Sequence, residues 1–150
     1  MSHERITEQN IVRERKGASK TVIHCEGAKK SLDKALDSVK PSKKRQRFLN
    51  FLELSLDRLA NGDRLAGMPH DGVPDNQKPV KEGALPGLLG HTTGHFWAIK
   101  KIPIRGYGWD GVKNRTHIYI SHYVYKDQQS LSKADTDRVH RNFRKMENQS

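Results

Sequence analysis

Residues 61–95 hold seven glycines and four of the six prolines of the chain. They show neither the spacing of an amphipathic helix nor the alternation of a half-buried strand. This stretch divides everything else. Before it, apolar residues recur at helical spacing; after it, they alternate or crowd among β-branched and aromatic neighbours. Helical and extended segments segregated in this way build an α+β domain, here a small antiparallel-rich sheet packed against an N-terminal helical hairpin and a C-terminal helix. Loops longer than about 12 to 15 residues are uncommon inside compact domains, so the stretch reads as a long substrate-facing flap or an insertion.

The pattern along the chain predicts one domain over residues 19–150, preceded by an arm. Residues 1–18 are polar and charged, with only Ile6, Ile11 and Val12 apolar, and read as a flexible arm. Thr21, Ile23 and Cys25 share one side of an extended segment, with Val22 and His24 on the other, and Gly27 ends it. From Ala28, the positions Leu32, Ala35, Leu36 and Val39 predict a first helix closed by Pro41. Ser42 opens a second helix whose apolar face is Phe48, Leu49, Leu52, Leu56 and Leu59, broadened by Phe51 and Leu54, and Gly62 stops it. Two helices joined so tightly form an antiparallel hairpin. Residues 95–104 predict a strand, Gly106, Gly108 and Gly111 a turn, and residues 115–126, RTHIYISHYVYK, the strongest strand in the chain. Ser132 and Asp135 make an S-x-x-D capping box for a last helix with Val139, Phe143 and Met146 along its seam.

Charge narrows the partner. The 28 Lys and Arg against 17 Asp and Glu leave +11 with histidine neutral, and such a surplus points to a polyanion, with nucleic acid the first expectation. The excess is blocked rather than scattered. Lys40, Lys43, Lys44, Arg45 and Arg47 occur with no acid among them, and Arg138, His140, Arg141, Arg144 and Lys145 crowd the C-terminal segment. Cations at the start of a helix oppose its macrodipole, so folding alone does not explain the first block. An anionic ligand does.

Other function classes recede. The single cysteine, Cys25, has no partner for an internal disulfide and reads as a small buried apolar residue. No apolar run approaches the roughly 20 residues of a membrane helix, and the first residues lack the apolar stretch of a signal peptide, so a cytoplasmic protein without a membrane partner is expected. His91 and His95, with His70, are the nearest approach to a metal site, but cysteines and well-placed acids are lacking around them, and no metal is expected. GYGWDG lacks the lysine-serine ending of a phosphate-binding loop, and no cofactor is expected.

Strict alternation in the last strand places Thr116, Ile118, Ile120, His122, Val124 and Lys126 on one face, and His117, Tyr119, Ser121, Tyr123 and Tyr125 on the other. The first face reads as core. The second is a hydroxylated aromatic strip flanked by Arg115 and Lys126, suited to stacking on bases and holding phosphates of single-stranded nucleic acid, or to an ordinary half-exposed strand. A bulge would exchange the faces.

The strand order, the basic hairpin and the segment IYISHYVYKDQQSLSKADTDRVHRNF together resemble the RelE/ParE superfamily of toxins from bacterial toxin–antitoxin systems, particularly its phage-associated and HigB-like branches. Members commonly end the last strand with an apolar run, a histidine, an aromatic or aliphatic residue and paired lysines, then a polar turn and a helix. Ile118 and Ile120 are similar to the apolar run, His122 to the histidine, Val124 to the next position and Lys126 to the first lysine; Asp127 stands where the second lysine is often found. The tyrosine-arginine pair frequent between the family's middle strands has no counterpart here, Tyr107 or Arg115 being the substitutes on offer, a departure that bears on catalytic competence.

The resemblance implies a RelE-like fold and a metal-independent endoribonuclease acting on ribosome-bound mRNA, with a separately encoded antitoxin protein as partner. Such cleavage sets a ribose 2′-hydroxyl to attack its own phosphate, and needs a proton acceptor, cations on the phosphate and an acid for the leaving oxygen. By that resemblance His117 or His122 exchanges protons, Lys126 with Arg105 or Arg115 holds the phosphate, and Tyr123 or Tyr125 stacks or donates. Lys43, Lys44, Arg45, Arg47 and Arg141 are the expected backbone contacts. A non-catalytic basic module that binds nucleic acid or, like ParE, targets gyrase is the alternative expectation.

Overall fold

The computed structural model describes residues 14–40, 42–63, 83–101, 103–125 and 132–148. Its element order is β1 (Glu14–Lys16), β2 (Thr21–His24), α1 (Ala28–Asp37), α2 (Ser42–Ala60), β3 (Gly83–Ala84), β4 (His95–Lys101), β5 (Ile104–Asp110), β6 (His117–Tyr125) and α3 (Lys133–Asn148). The architecture is α+β, as the segregated pattern predicts. The six strands form one mixed sheet in the order β1-β2-β6-β5-β4-β3, antiparallel except where β2 lies parallel to β6.

The two N-terminal helices, called the hairpin below for their short connection, begin where their apolar spacing begins. Leu32, Ala35 and Leu36 of α1 and Phe48, Leu49, Leu52, Leu56 and Leu59 of α2 are buried against Val22, Trp97, Ile99, Ile104, Ile118, Ile120 and Tyr123 of the sheet. At the end of α2 the Gly62 N–H bonds to the Leu59 carbonyl (3.0 Å) and the Asp63 N–H to Arg58 (2.9 Å), the paired bonds of a glycine-terminated helix. Leu54 does not broaden the apolar face. It is 66% exposed, because two residues beyond Leu52 a helix has turned by about 200° and points the side chain outward.

On the opposite face of the sheet α3 covers a second cluster, in which Val139 and Phe143 pack with Phe96, Tyr107, Trp109 and Tyr119. Its start is the expected capping box: the Asp135 N–H donates to Ser132 Oγ (3.1 Å), and that hydroxyl donates to the Asp135 carboxylate (2.8 Å). Its end is fixed by Glu147, fully buried, which accepts from Trp109 Nε1 (2.9 Å) and from the backbone N–H groups of Val112 (2.9 Å) and Lys113 (3.2 Å). The sheet is therefore held between the hairpin and α3.

Four boundaries differ from the sequence reading. Residues 95–104, read as one strand, are divided: β4 ends at Lys101, Pro103 lies in a turn, and Ile104 opens β5. Residues 14–16, read as the end of the arm, form the edge strand β1, pairing with β2 from Glu14↔Ile23 to Lys16↔Thr21; the earlier residues of the arm lie outside the described residues. Gly83 and Ala84, inside the long loop, pair with Phe96 and His95, while residues 64–82 lie outside the description. The glycines at 106 and 108 make no turn but sit within β5. A Cβ at Gly106 would meet Tyr123 Cε1 at 2.7 Å, and one at Gly108 would meet the Trp97 ring at 2.7 Å. Both glycines thus make room for aromatic rings lying across the strand.

Candidate nucleic-acid interface

The C-terminal end of β6 brings together cations of α2 and β4 and an aromatic ring of β6. The register aligns Lys101 of β4 with Ile104 of β5, and Ile104 with Tyr125 of β6; the next row aligns Lys100, Arg105 and Val124. Lys101 and Tyr125 thus stand in one row across the strands. Lys101 Nζ lies 5.8 Å from the centroid of the Phe51 ring of α2, a cation–π contact that holds its ammonium at the helix surface. Phe48 of α2 meets Tyr123 of β6 edge-on at 6.5 Å between centroids. These two contacts direct the N-terminal half of α2 toward the same end of the sheet.

The first basic block follows from that placement. Lys44 precedes Phe48 by one helical turn, and Arg47 precedes Phe51 by one turn, so both share a flank of α2 with the rings facing the strand ends. Lys40, Lys43, Lys44 and Arg47 are exposed, and the first turn of α2 contains no acid. Tyr125, 43% exposed, offers part of its ring two strands from Lys101 in the same row, across Ile104. Cations beside an exposed aromatic ring suit a single-stranded polynucleotide, whose bases stack while its phosphates are neutralised. Arg45 is half-buried and donates to the Val39 carbonyl (3.4 Å), closing the end of α1. Arg105 is only 5% exposed. Arg141 is exposed on α3.

The remaining candidates on β6 are distributed by a bulge. Tyr107 pairs with His122 and Gly108 with Ile120, so Ser121 is the extra residue and the alternation shifts by one beyond it. Ile118, Ile120 and Tyr123 consequently face the hairpin, whereas Tyr119 and Val124 belong to the cluster under α3. His122 goes with them. Its ring is fully buried, 5.4 Å from the Tyr107 ring, and lies 2.8 Å from Ser121 Oγ through Nδ1 and 3.1 Å from Asp135 Oδ1 through Nε2. Asn142 Nδ2 donates to Ser121 Oγ at 2.8 Å. A consistent chain of donors runs Asn142, Ser121, His122, Asp135, with the ring as its neutral Nε2–H tautomer.

A serine, a histidine and an aspartate in that order resemble the relay of a hydrolase, but Ser121 is fully buried and its hydroxyl is shared with Asn142. The chain ties α3 to the sheet. Tyr123 is 1% exposed and bonded through its hydroxyl to His24 Nε2 (2.7 Å); burial drives its pKa far above the ordinary tyrosine value. It stays neutral and enclosed. His122 and Tyr123, adjacent in sequence, thus serve opposite layers, and neither meets solvent.

His117 and Arg115 stand at the other end of β6. The His117 ring is half-buried, with Tyr119 OH at 3.0 Å from Nδ1 and Asn114 Nδ2 at 3.1 Å from Nε2. Arg115 is exposed, and its carbonyl accepts from Lys20 Nζ (2.6 Å). His117 and Tyr125 are eight steps apart along the strand, so at roughly 3.3 Å per residue the two ends cannot share one phosphate. Lys126, which follows Tyr125 in the chain, lies outside the described residues, as does His70. His91 and His95 are exposed, and no group of three His, Cys, Asp or Glu gathers among the described residues.

Sequence reasoning did not place Lys101 at the interface, because its neighbour Phe51 comes from a distant helix; the pair of lysines at the end of an apolar strand was the available signal. It also missed the buried pair of Arg15 on β1 and Asp57 on α2, which no local pattern connects. No protein-family model, curated protein or solved structure matches the chain. Among the described residues no helix is long and apolar enough to cross a membrane.

Proposed function

We propose that this chain is a toxin of the RelE type directed at translating mRNA, and that it meets RNA at the C-terminal end of β6. The observation that carries this reading is the pair of contacts Lys101–Phe51 and Phe48–Tyr123, which aim the N-terminal half of α2, with its exposed Lys43, Lys44 and Arg47, at the end of the sheet where Tyr125 is exposed. The helical hairpin on one face and the terminal helix on the other support it, being the arrangement that the resemblance implies. Lys126, next in the chain after Tyr125, is the residue to which the phosphate-stabilising role is assigned. His122 and Tyr123 are excluded from that chemistry by burial and act as positioning residues for α3 and β2.

One observation favours a second reading, a basic module that binds without cutting. No histidine or tyrosine with both exposure and a neighbouring cation occurs among the described residues at this end except Tyr125. The two readings separate in cells. After brief induction, transcript ends and plasmid supercoiling are measured in the same culture. Breaks within ribosome-occupied codons with unchanged supercoiling support the toxin; intact transcripts with altered supercoiling identify a gyrase-directed module instead.

A further inference from the structure

A second cationic feature lies where β2 stops. β2 ends at His24, opposite Ile120, while β6 continues to Tyr125, so among the described residues no strand pairs with β6 on that side beyond Ile120. α1 and α3 close over this bare edge. Ser31 Oγ of α1 accepts the Tyr123 N–H (2.9 Å), and Asn142 Nδ2 of α3 donates to the Ser121 carbonyl (3.3 Å). The rim of the resulting seam is basic. Arg138 Nη2 comes within 3.5 Å of where a Cβ on Gly27 would stand, and Arg141 follows it on α3 by three residues, close enough for their like charges to oppose each other.

The two guanidiniums are not neutralised from within. Neither forms an ion pair or side-chain hydrogen bond among the described residues, and Glu26, the carboxylate beside this turn, is engaged by Lys145 Nζ at 2.8 Å. Asp135 lies closest to Arg138 electrostatically, but it is committed to His122 and Ser132. Burial, and then Arg141, lower the Arg138 pKa. Two neighbouring forks, with no carboxylate bonded to either among the described residues, match the oxygens of a phosphate diester, which would relieve their repulsion. From Ser121 to Tyr125 the strand advances about 14 Å at roughly 3.4 Å per residue, so the seam and the sheet end lie within reach of one short polynucleotide.

We propose that Arg138 and Arg141 hold a backbone phosphate of single-stranded RNA at the seam between α1 and α3. This deepens, and rests on, the RNA-directed reading above. The test is binding of a fluorescein-labelled oligouridylate by anisotropy across a salt series. Three charge variants are compared with the intact chain: R138Q/R141Q, the charge-preserving R138K/R141K, and K16Q/R58Q, which removes the same charge at the β1 edge and the far end of α2. The slope of log affinity against log salt should fall by roughly 1.4 in R138Q/R141Q, about 0.7 for each lost contact. K16Q/R58Q should lose less than half of that, and R138K/R141K should keep the slope with weaker binding. Equal losses in the two glutamine variants, or a wild-type slope in R138Q/R141Q, would overturn the seam while leaving the sheet end standing. An intact chain that does not bind the oligouridylate overturns both. If R138Q/R141Q does not fold, a slope lost in R138K/R141K, where both charges remain, counts against the seam as well.

Discussion

At the scale of single residues, burial decides chemistry. His122 occupies the position most suggestive of a catalytic histidine, yet its environment is structural: a fully buried ring between Ser121 and Asp135. Replacing it by leucine removes both ring nitrogens and leaves Ser121 and the mostly buried Asp135 carboxylate without them. His122→Leu should therefore cost about 2 to 4 kcal/mol in urea unfolding, with RNA affinity unchanged in the folded fraction. A stable variant that loses RNA cleavage would instead give the ring a chemical role. Tyr119 supplies a pH test. Burial, with Glu147 and Cys25 adding to it, pushes its pKa from 10.0 up to about 12. The folded state then holds its proton where the unfolded state releases it, so stability is level below pH 10.0 and falls as pH rises toward about 12. Tyr123 deepens the same fall. Alkaline unfolding of Tyr119→Phe should show a shallower decline than the intact chain; identical profiles would contradict the assignment. That His122 and Tyr123 face opposite layers was only half legible in the sequence. Alternation puts adjacent residues on opposite faces, but which face each takes depends on the bulge at Ser121, which the residue types around it do not announce.

At the scale of elements, α2 is built against its own interest. Lys43, Lys44 and Arg45 stand at its positive end with no acid among them, where each cation opposes the macrodipole by about 0.3 to 1 kcal/mol at low salt. Lys43→Gln with Lys44→Gln should raise the unfolding free energy slightly and at the same time weaken RNA binding and flatten its salt dependence. Calorimetry and anisotropy on the same preparation check this; a variant weakened in both respects, or in neither, would mean that the lysines serve the fold or nothing but solvent. The helices themselves were readable in advance, because Leu52, Leu56 and Leu59 sit on one stripe and the Ser132 to Asp135 spacing is a local signal. β5 was not. Its glycines carry turn chemistry in the sequence, and only the rings of Trp97 and Tyr123, brought from other strands, explain why they belong inside a sheet.

At the scale of the whole molecule, the sheet separates two unlike layers. The hairpin face is apolar around Trp97, whereas the α3 face includes His122, Asp135 and Glu147 among its rings. Trp109 stacks on Tyr119 at 5.1 Å and meets Phe143 at 5.6 Å, so the two tryptophans report on different layers. The α+β class follows from the order of helical and extended segments. The parallel pairing of β2 with β6 and the edge strand β1 do not, since pairing between distant segments leaves no periodic trace in either. The same limit applies to the interface: the basic block of α2 is visible in the chain, but its approach to the sheet end where Lys101 and Tyr125 stand is a property of the folded molecule. The central claim is that this surface acts on translating mRNA, and purified protein added to ribosomes translating a defined message tests it most directly. A toxin of this type cuts at the codon in the decoding site and leaves truncated product, both lost in Lys126→Gln while that variant still binds the oligouridylate. An uncut message with full-length product at saturating protein would contradict it.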